Sequence, residues 1–167
     1  MDARIVTTRH WFQRIYLGGI PQMIRDETAF LSFICTLSAI EALAGYRYQE
    51  TGDTARPGSR FQRFVSDYFA QEYSELASDL WNFRNGMIHG FCPRRFALTH
   101  YQSHRHLQTS SDSTTFLNAE DFYAALVQAS GAFFQELEGS TELQENFLAR
   151  LNSSQGGGIA VGPVEAT

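Results

Sequence analysis

Arg84, Asn85 and His89 stand close together in the run RNGMIHG, just before Gly90 and Pro93. A guanidinium grips an oxyanion with two parallel hydrogen bonds, and an imidazole titrates near neutrality and can move a proton at physiological pH. A carboxamide one helical turn from that imidazole can position it or a bound oxygen. The trio therefore has the side chains for chemistry at a phosphate. It also has the side chains of a polar helix end, since Gly90 and Pro93 are ordinary stop signals.

The helix that must carry them is read from periodicity. At about 100° per residue, Leu76, Leu80, Phe83 and Met87 share one apolar stripe. Arg84 falls on the flank of that stripe, and Asn85 and His89 lie on the far side, one turn apart. Trp81 and Ile88 fall on that same outward side. Two large apolar groups facing away from the core call for a contact, which is either a second copy of the chain meeting helix to helix or the later helices around Phe122, Leu126 and Phe133.

On an earlier helix, Phe30, Ile34, Leu37 and Tyr48 make a stripe with Glu41 in its middle. A carboxylate so placed needs a charged or hydrogen-bonded partner. Arg84 is the first candidate, because it borders its own core face. The alternative is a Glu at a crevice edge, paired with Arg47 or a backbone amide.

The net charge of −5 excludes a uniformly basic nucleic-acid coat, yet the distribution is uneven. From Leu80 to Ser111 there is no acid, while Arg84, Arg94, Arg95, Arg105 and four of the five histidines fall there; from Asp112 to Glu145 there are acids and no basic residue. All 13 basic residues are Arg. Arg94, Arg95 and Arg105 are thus candidate phosphate contacts. His100, His104 and His106 lack accompanying carboxylates or thiols, and a solvated hairpin is preferred to a metal site. Cys35 and Cys92 make no disulfide or zinc pattern, there is no phosphate-binding glycine loop, and no serine stands in a nucleophile elbow. No cofactor is implied.

A chain of 167 residues with 43% hydrophobic residues and 14 Phe is expected to be one all-α domain over residues 1–152, with a flexible Gly-rich tail over 153–167. Five to six helices are expected. The first covers Ile5 to Leu17 and breaks at GGIP; Asp26 caps a long second helix reaching about Gln49. Residues 50–60 form a loop, and RFQRFVSDYF and EYSELASDLWNFRNGMIHG are two further helices, nearly continuous. Between Arg95 and Phe116 a short β-hairpin or extended loop is expected, with runs at Phe96 to His100 and His104 to Gln108. Asn118 then caps a helix with Glu120 and Asp121 in its first turn, and Ser140 caps the last. The uncharged run from Thr28 to Ile40 is too short for a bilayer span and reads as a buried core helix, and the charged start argues against a signal peptide, so a cytoplasmic protein with no membrane partner is expected.

RNGMIHG, within DLWNFRNGMIHG, resembles the signature of the HEPN superfamily, an Arg followed by a polar residue and then a His after four to six intervening residues. LSAIEALAG resembles that family's helix-borne acid, and the likeness spans roughly Asp26 to Gly90. The resemblance implies a HEPN-type helical bundle and a homodimer in which two motif helices build one site. It further implies a metal-independent endoribonuclease with RNA as substrate, in a toxin or defence setting under an antitoxin or regulatory protein. It implies His89 as general acid/base on the 2′-hydroxyl or the leaving oxygen. Arg84 would stabilise the transition state or orient the site through Glu41, Asn85 would position His89 or a phosphate oxygen, and Trp81 and Ile88 would meet the second copy. Some relatives carry a modifiable Tyr two residues after the His; here that position is Phe91. Two other readings stand beside the nuclease: a non-catalytic nucleotide- or protein-binding helical dimer, and a structural dimer whose trio only caps the helix and stitches an interface.

Overall fold

The structure is a computed structural model that describes residues 1–153, the side chain of Asp26 excepted. Of the tail expected over residues 153–167, Ser153 is the last residue of a helix and the remainder lies outside the described residues. The first helical stretch runs on past GGIP: α1 (Ala3–Phe12) passes through a π-helical turn at Gln13–Leu17 into α2 (Gly18–Met23), with Pro21 inside α2. Proline has no N–H to give the carbonyl four residues back, at Leu17. The Tyr123 hydroxyl donates to that carbonyl instead, at 2.7 Å, so the break expected from composition does not form.

A 3-10 turn at Asp26–Thr28 leads into α3 (Ala29–Arg47), the central helix. The N-cap position of α3 is Thr28, two residues beyond the Asp26 expected there. Thr28 holds the entry, its hydroxyl donating to the carbonyls of Met23 and Arg25. With 19 residues and a mean hydropathy of 1.6, α3 is long and apolar enough to cross a membrane by those two measures. It is packed by α4 (Pro57–Tyr68), α6 (Ala77–Gly90), α7 (Ala119–Gly139) and α8 (Thr141–Ser153). Its buried face is Phe33, Leu37, Ile40 and Ala44, about 60° from the expected stripe. That rotation moves Glu41 from mid-stripe to the rim of the core.

Pro57 opens α4 at a position where its missing N–H costs nothing. The stretch expected to be nearly continuous is divided into the single turn α5 (Gln71–Ser74) and α6, joined through Leu76. Counting α1 and α2 as one rod and α5 as a turn, six helices stand among the described residues, in agreement with the all-α expectation. Phe33, Phe61, Phe64, Phe83, Phe122, Phe133 and Phe147 are fully buried and fill the space between them.

The insert after α6 is not a hairpin. β1 (Phe96–Thr99) and β2 (Thr115–Asn118) run parallel, with Phe96 opposite Thr115 and Thr99 opposite Asn118. His104 to Gln108, expected as the second strand, forms a 3-10 turn and a bend. Asn118 does precede α7, but its amide does not cap in the expected way. Its nitrogen donates to Asp121 and its oxygen accepts from the Gln102 N–H, which ties the insert to the helix start. Ser140 caps α8 as expected, accepting from the Leu143 N–H at 3.3 Å.

Candidate functional site

The core stripe of α6 is as periodicity places it: Leu80, Phe83 and Met87 are buried. Arg84 leaves the flank of that stripe and reaches Glu41 on α3, donating from Nε at 2.8 Å with Nη2 at 2.6 Å from the same Oε2. Its Nη1 donates to Asn85 Oδ1 at 3.2 Å, and the guanidinium lies over the Trp81 ring, 5.4 Å from its centroid. Glu41 thus has the partner its sequence context pointed to.

Trp81 is covered within the chain, though by α4 and not by the later helices. Its indole rests on Phe61, centroids 5.4 Å apart, and a Cβ at Gly58 would lie 2.7 Å from Nε1. Ile88 is 46% exposed, so of the two outward apolar residues it is the one with surface to offer a partner. His89 is exposed on the last turn of α6.

The chain beyond α6 folds back sharply over it. Phe91 caps the helix in the left-handed conformation, φ 51°, and Arg94 adopts φ 57°. The Cys92 N–H donates to the Gly86 carbonyl at 3.0 Å. A Cβ on Gly86 would fall 2.3 Å from the Cys92 oxygen and 2.8 Å from Arg94 Cγ; only glycine admits this return. The Phe91 ring, 75% exposed, leans on Phe30 with centroids 4.5 Å apart.

The return path makes a cleft of about 340 Å³ lined by Asp79, Asn82, Asn85, Arg94 and Arg95. Arg95 is held there by Asp79, at 2.7 Å. Arg94 has no ion pair among the described residues. The segment without acids in sequence is therefore not without them in space: Glu41 and Asp79, from outside it, neutralise two of its four arginines. Arg105 lies apart from this cleft, its guanidinium 3.7 Å from the Phe116 ring centroid. Asn82, Asp79 and Gly86 were not singled out from sequence; Asn82 shares with Asn85 the outward side of α6 and Asp79 falls on the flank opposite Arg84, which is the signal that points to them.

The three histidines of the insert do not come together. His106 has both ring nitrogens engaged, Nε2 with the Tyr73 hydroxyl at 2.7 Å and Nδ1 accepting from the Asn118 N–H at 3.0 Å. Burial lowers its pKa, with the Asp121 charge opposing. Among the described residues no three His, Cys, Asp or Glu side chains are grouped to hold a metal ion.

No protein-family model, curated protein or solved structure matches the chain.

Proposed function

We propose that the chain is a metal-independent RNA endonuclease of the HEPN type, with Arg84, Asn85 and His89 at its centre. The observation that carries this reading is the fixing of Arg84 by Glu41, Asn85 and Trp81, with Asn85 in turn standing one helical turn before a solvent-exposed His89. A fixed cation and a solvent-exposed imidazole carried on one helix are the two groups that electrostatic stabilisation and proton transfer at a phosphodiester require.

In the proposed reaction His89 takes the proton of the ribose 2′-hydroxyl. The 2′-oxygen bonds to phosphorus, and the bond from phosphorus to the 5′-oxygen breaks. The departing 5′-oxygen takes a proton from an imidazolium, which a second copy of the chain supplies with its own His89. The products are a 2′,3′-cyclic phosphate and a 5′-hydroxyl, with no metal in the balance. Ile88 gives the second copy an apolar contact beside the site, and Arg94 and Arg105 are the cations available to substrate phosphates, with Arg95 held by Asp79.

The test is total RNA incubated with the protein in EDTA. Wild-type protein is expected to cleave it, leaving cyclic phosphate ends, and His89→Ala to lose cleavage while keeping its circular dichroism and melting temperature. Intact RNA with both proteins would overturn the reading. One observation favours a second, non-catalytic reading: every nitrogen-bearing edge of Arg84 is engaged in a bond, with Glu41 or with Asn85. In that reading the arginine is a strut of a nucleotide- or protein-binding dimer, and Arg84→Ala lowers melting without touching any activity.

A further inference from the structure

Asn85 is bonded through its oxygen. Arg84 Nη1 donates to Oδ1, so what Asn85 offers the cleft it lines is its Nδ2 group, a donor with two hydrogens. Asn82, exposed and three residues before it, lines the same cleft and brings a second carboxamide. Arg94 brings a guanidinium with no carboxylate opposite it among the described residues. The one acid on the wall, Asp79, is occupied by Arg95. The cleft therefore carries donors and a single uncompensated positive charge.

Its geometry is set by the backbone. Arg94 stands at φ 57°, and its Cγ and Nε lie 2.8 and 2.9 Å from where a Gly86 Cβ would be. A left-handed Arg, the missing side chain at Gly86 and the left-handed Phe91 cap together press the stem of Arg94 against α6, beside the two amides. A residue other than Gly at positive φ is uncommon and persists where the surrounding structure imposes it.

We propose that this cleft is a subsite for one singly charged oxyanion, a phosphodiester of the nucleic-acid strand next to the cleaved one, held by Arg94 with the Asn82 and Asn85 amides. Its chemistry is that of a phosphate monoanion, which a free phosphate shares. The proposal rests on the preceding reading for the identity of the strand, and binding without cleavage tests it separately. The Asp79–Arg95 pair sets the charge of the site at one, which matches one phosphodiester and leaves a dianionic terminal phosphate half compensated.

The experiment measures binding of a fluorescein-labelled, 2′-O-methyl single-stranded oligonucleotide, which cannot be cleaved through its 2′ position, over a range of salt. Arg94→Gly, a substitution the left-handed backbone accepts, is expected to weaken binding about tenfold. It should also flatten the dependence of log K on log salt by about 0.7, the contribution of one single-strand phosphate. Asp79→Asn frees Arg95 and is expected to act in the opposite direction, with tighter binding and a slope steeper by a similar amount; a gain of this kind cannot come from misfolding. Unchanged affinity and slope in both variants would overturn the subsite, even if wild-type protein cleaves RNA and His89→Ala does not. Arg94-dependent binding by a protein that never cleaves RNA would sustain the subsite and remove the nuclease reading. Inorganic phosphate is the second probe. Displacement of the oligonucleotide by millimolar phosphate, abolished in Arg94→Gly, would assign the site to free phosphate and overturn the strand assignment, whereas loss of binding only with added salt of any kind supports it.

Discussion

Arg84 Nε and Nη2 converge on a single oxygen of Glu41, at 2.8 and 2.6 Å, across the contact between α6 and α3. The pair joins residues 43 positions apart at the rim of the core, with side chains 20% and 29% exposed. Removing one partner leaves the other charge half-desolvated, a loss of about 1–3 kcal/mol. Glu41→Ala and Arg84→Ala are each expected to lower unfolding stability by that amount, and the double variant by much less than the sum. Additive losses in urea denaturation would mean the two residues do not act as a pair.

Gly86→Ala is expected to cost about 1–3 kcal/mol, the range for overpacking a close contact. The added methyl meets the Cys92 carbonyl, which is backbone and cannot swing aside. Gly90→Ala on the next turn meets nothing within 4 Å and serves as the control in thermal unfolding. Equal melting temperatures for the two variants would show that the return path does not press on α6 at Gly86.

His106 gives stability a dependence on pH with a definite sign. Burial lowers its folded pKa below the unfolded value near 6.5, and its Nδ1 must stay unprotonated to accept from the Asn118 N–H. Below about 6.5 the unfolded chain therefore binds more protons than the folded one, so stability falls with falling pH. The contribution is fully present above 6.5 and is lost as pH drops through the folded value. His106→Asn should be less stable than wild type at pH 8, with the difference narrowing at pH 5. A difference that does not change between those two conditions would rule out His106 as the titrating group.

Tyr123→Phe removes the donor from the Leu17 carbonyl and is expected to cost about 1 kcal/mol. Placing an N–H back on the helix with Pro21→Ala should recover part of that loss in the Tyr123→Phe background. Paired denaturation curves measure it, and no recovery in the double variant would mean that Tyr123 acts through its ring packing instead.

What could be read without coordinates is what local periodicity and local charge dictate. Leu80, Phe83 and Met87 face the core because the helical repeat alone puts them on one side. Ser140 caps α8 because its hydroxyl needs only the N–H three residues on. Even the pairing of Glu41 with Arg84 was legible as the first of two alternatives, since an acid in an apolar stripe needs a charged or hydrogen-bonded partner and Arg84 borders the core face of its own helix. Tertiary structure decided the rest, wherever a partner comes from far along the chain. Pro21 stays inside a helix only because a tyrosine 106 residues away supplies the missing donor. Trp81 is covered because Gly58 lets α4 approach, and β1 and β2 run parallel because the chain between them doubles back before pairing. The charge of the cleft beside Asn85 is likewise a property of three dimensions: Asp79 at the edge of the acid-free run folds against Arg95, 16 residues on, and Arg94 has no ion pair among the described residues.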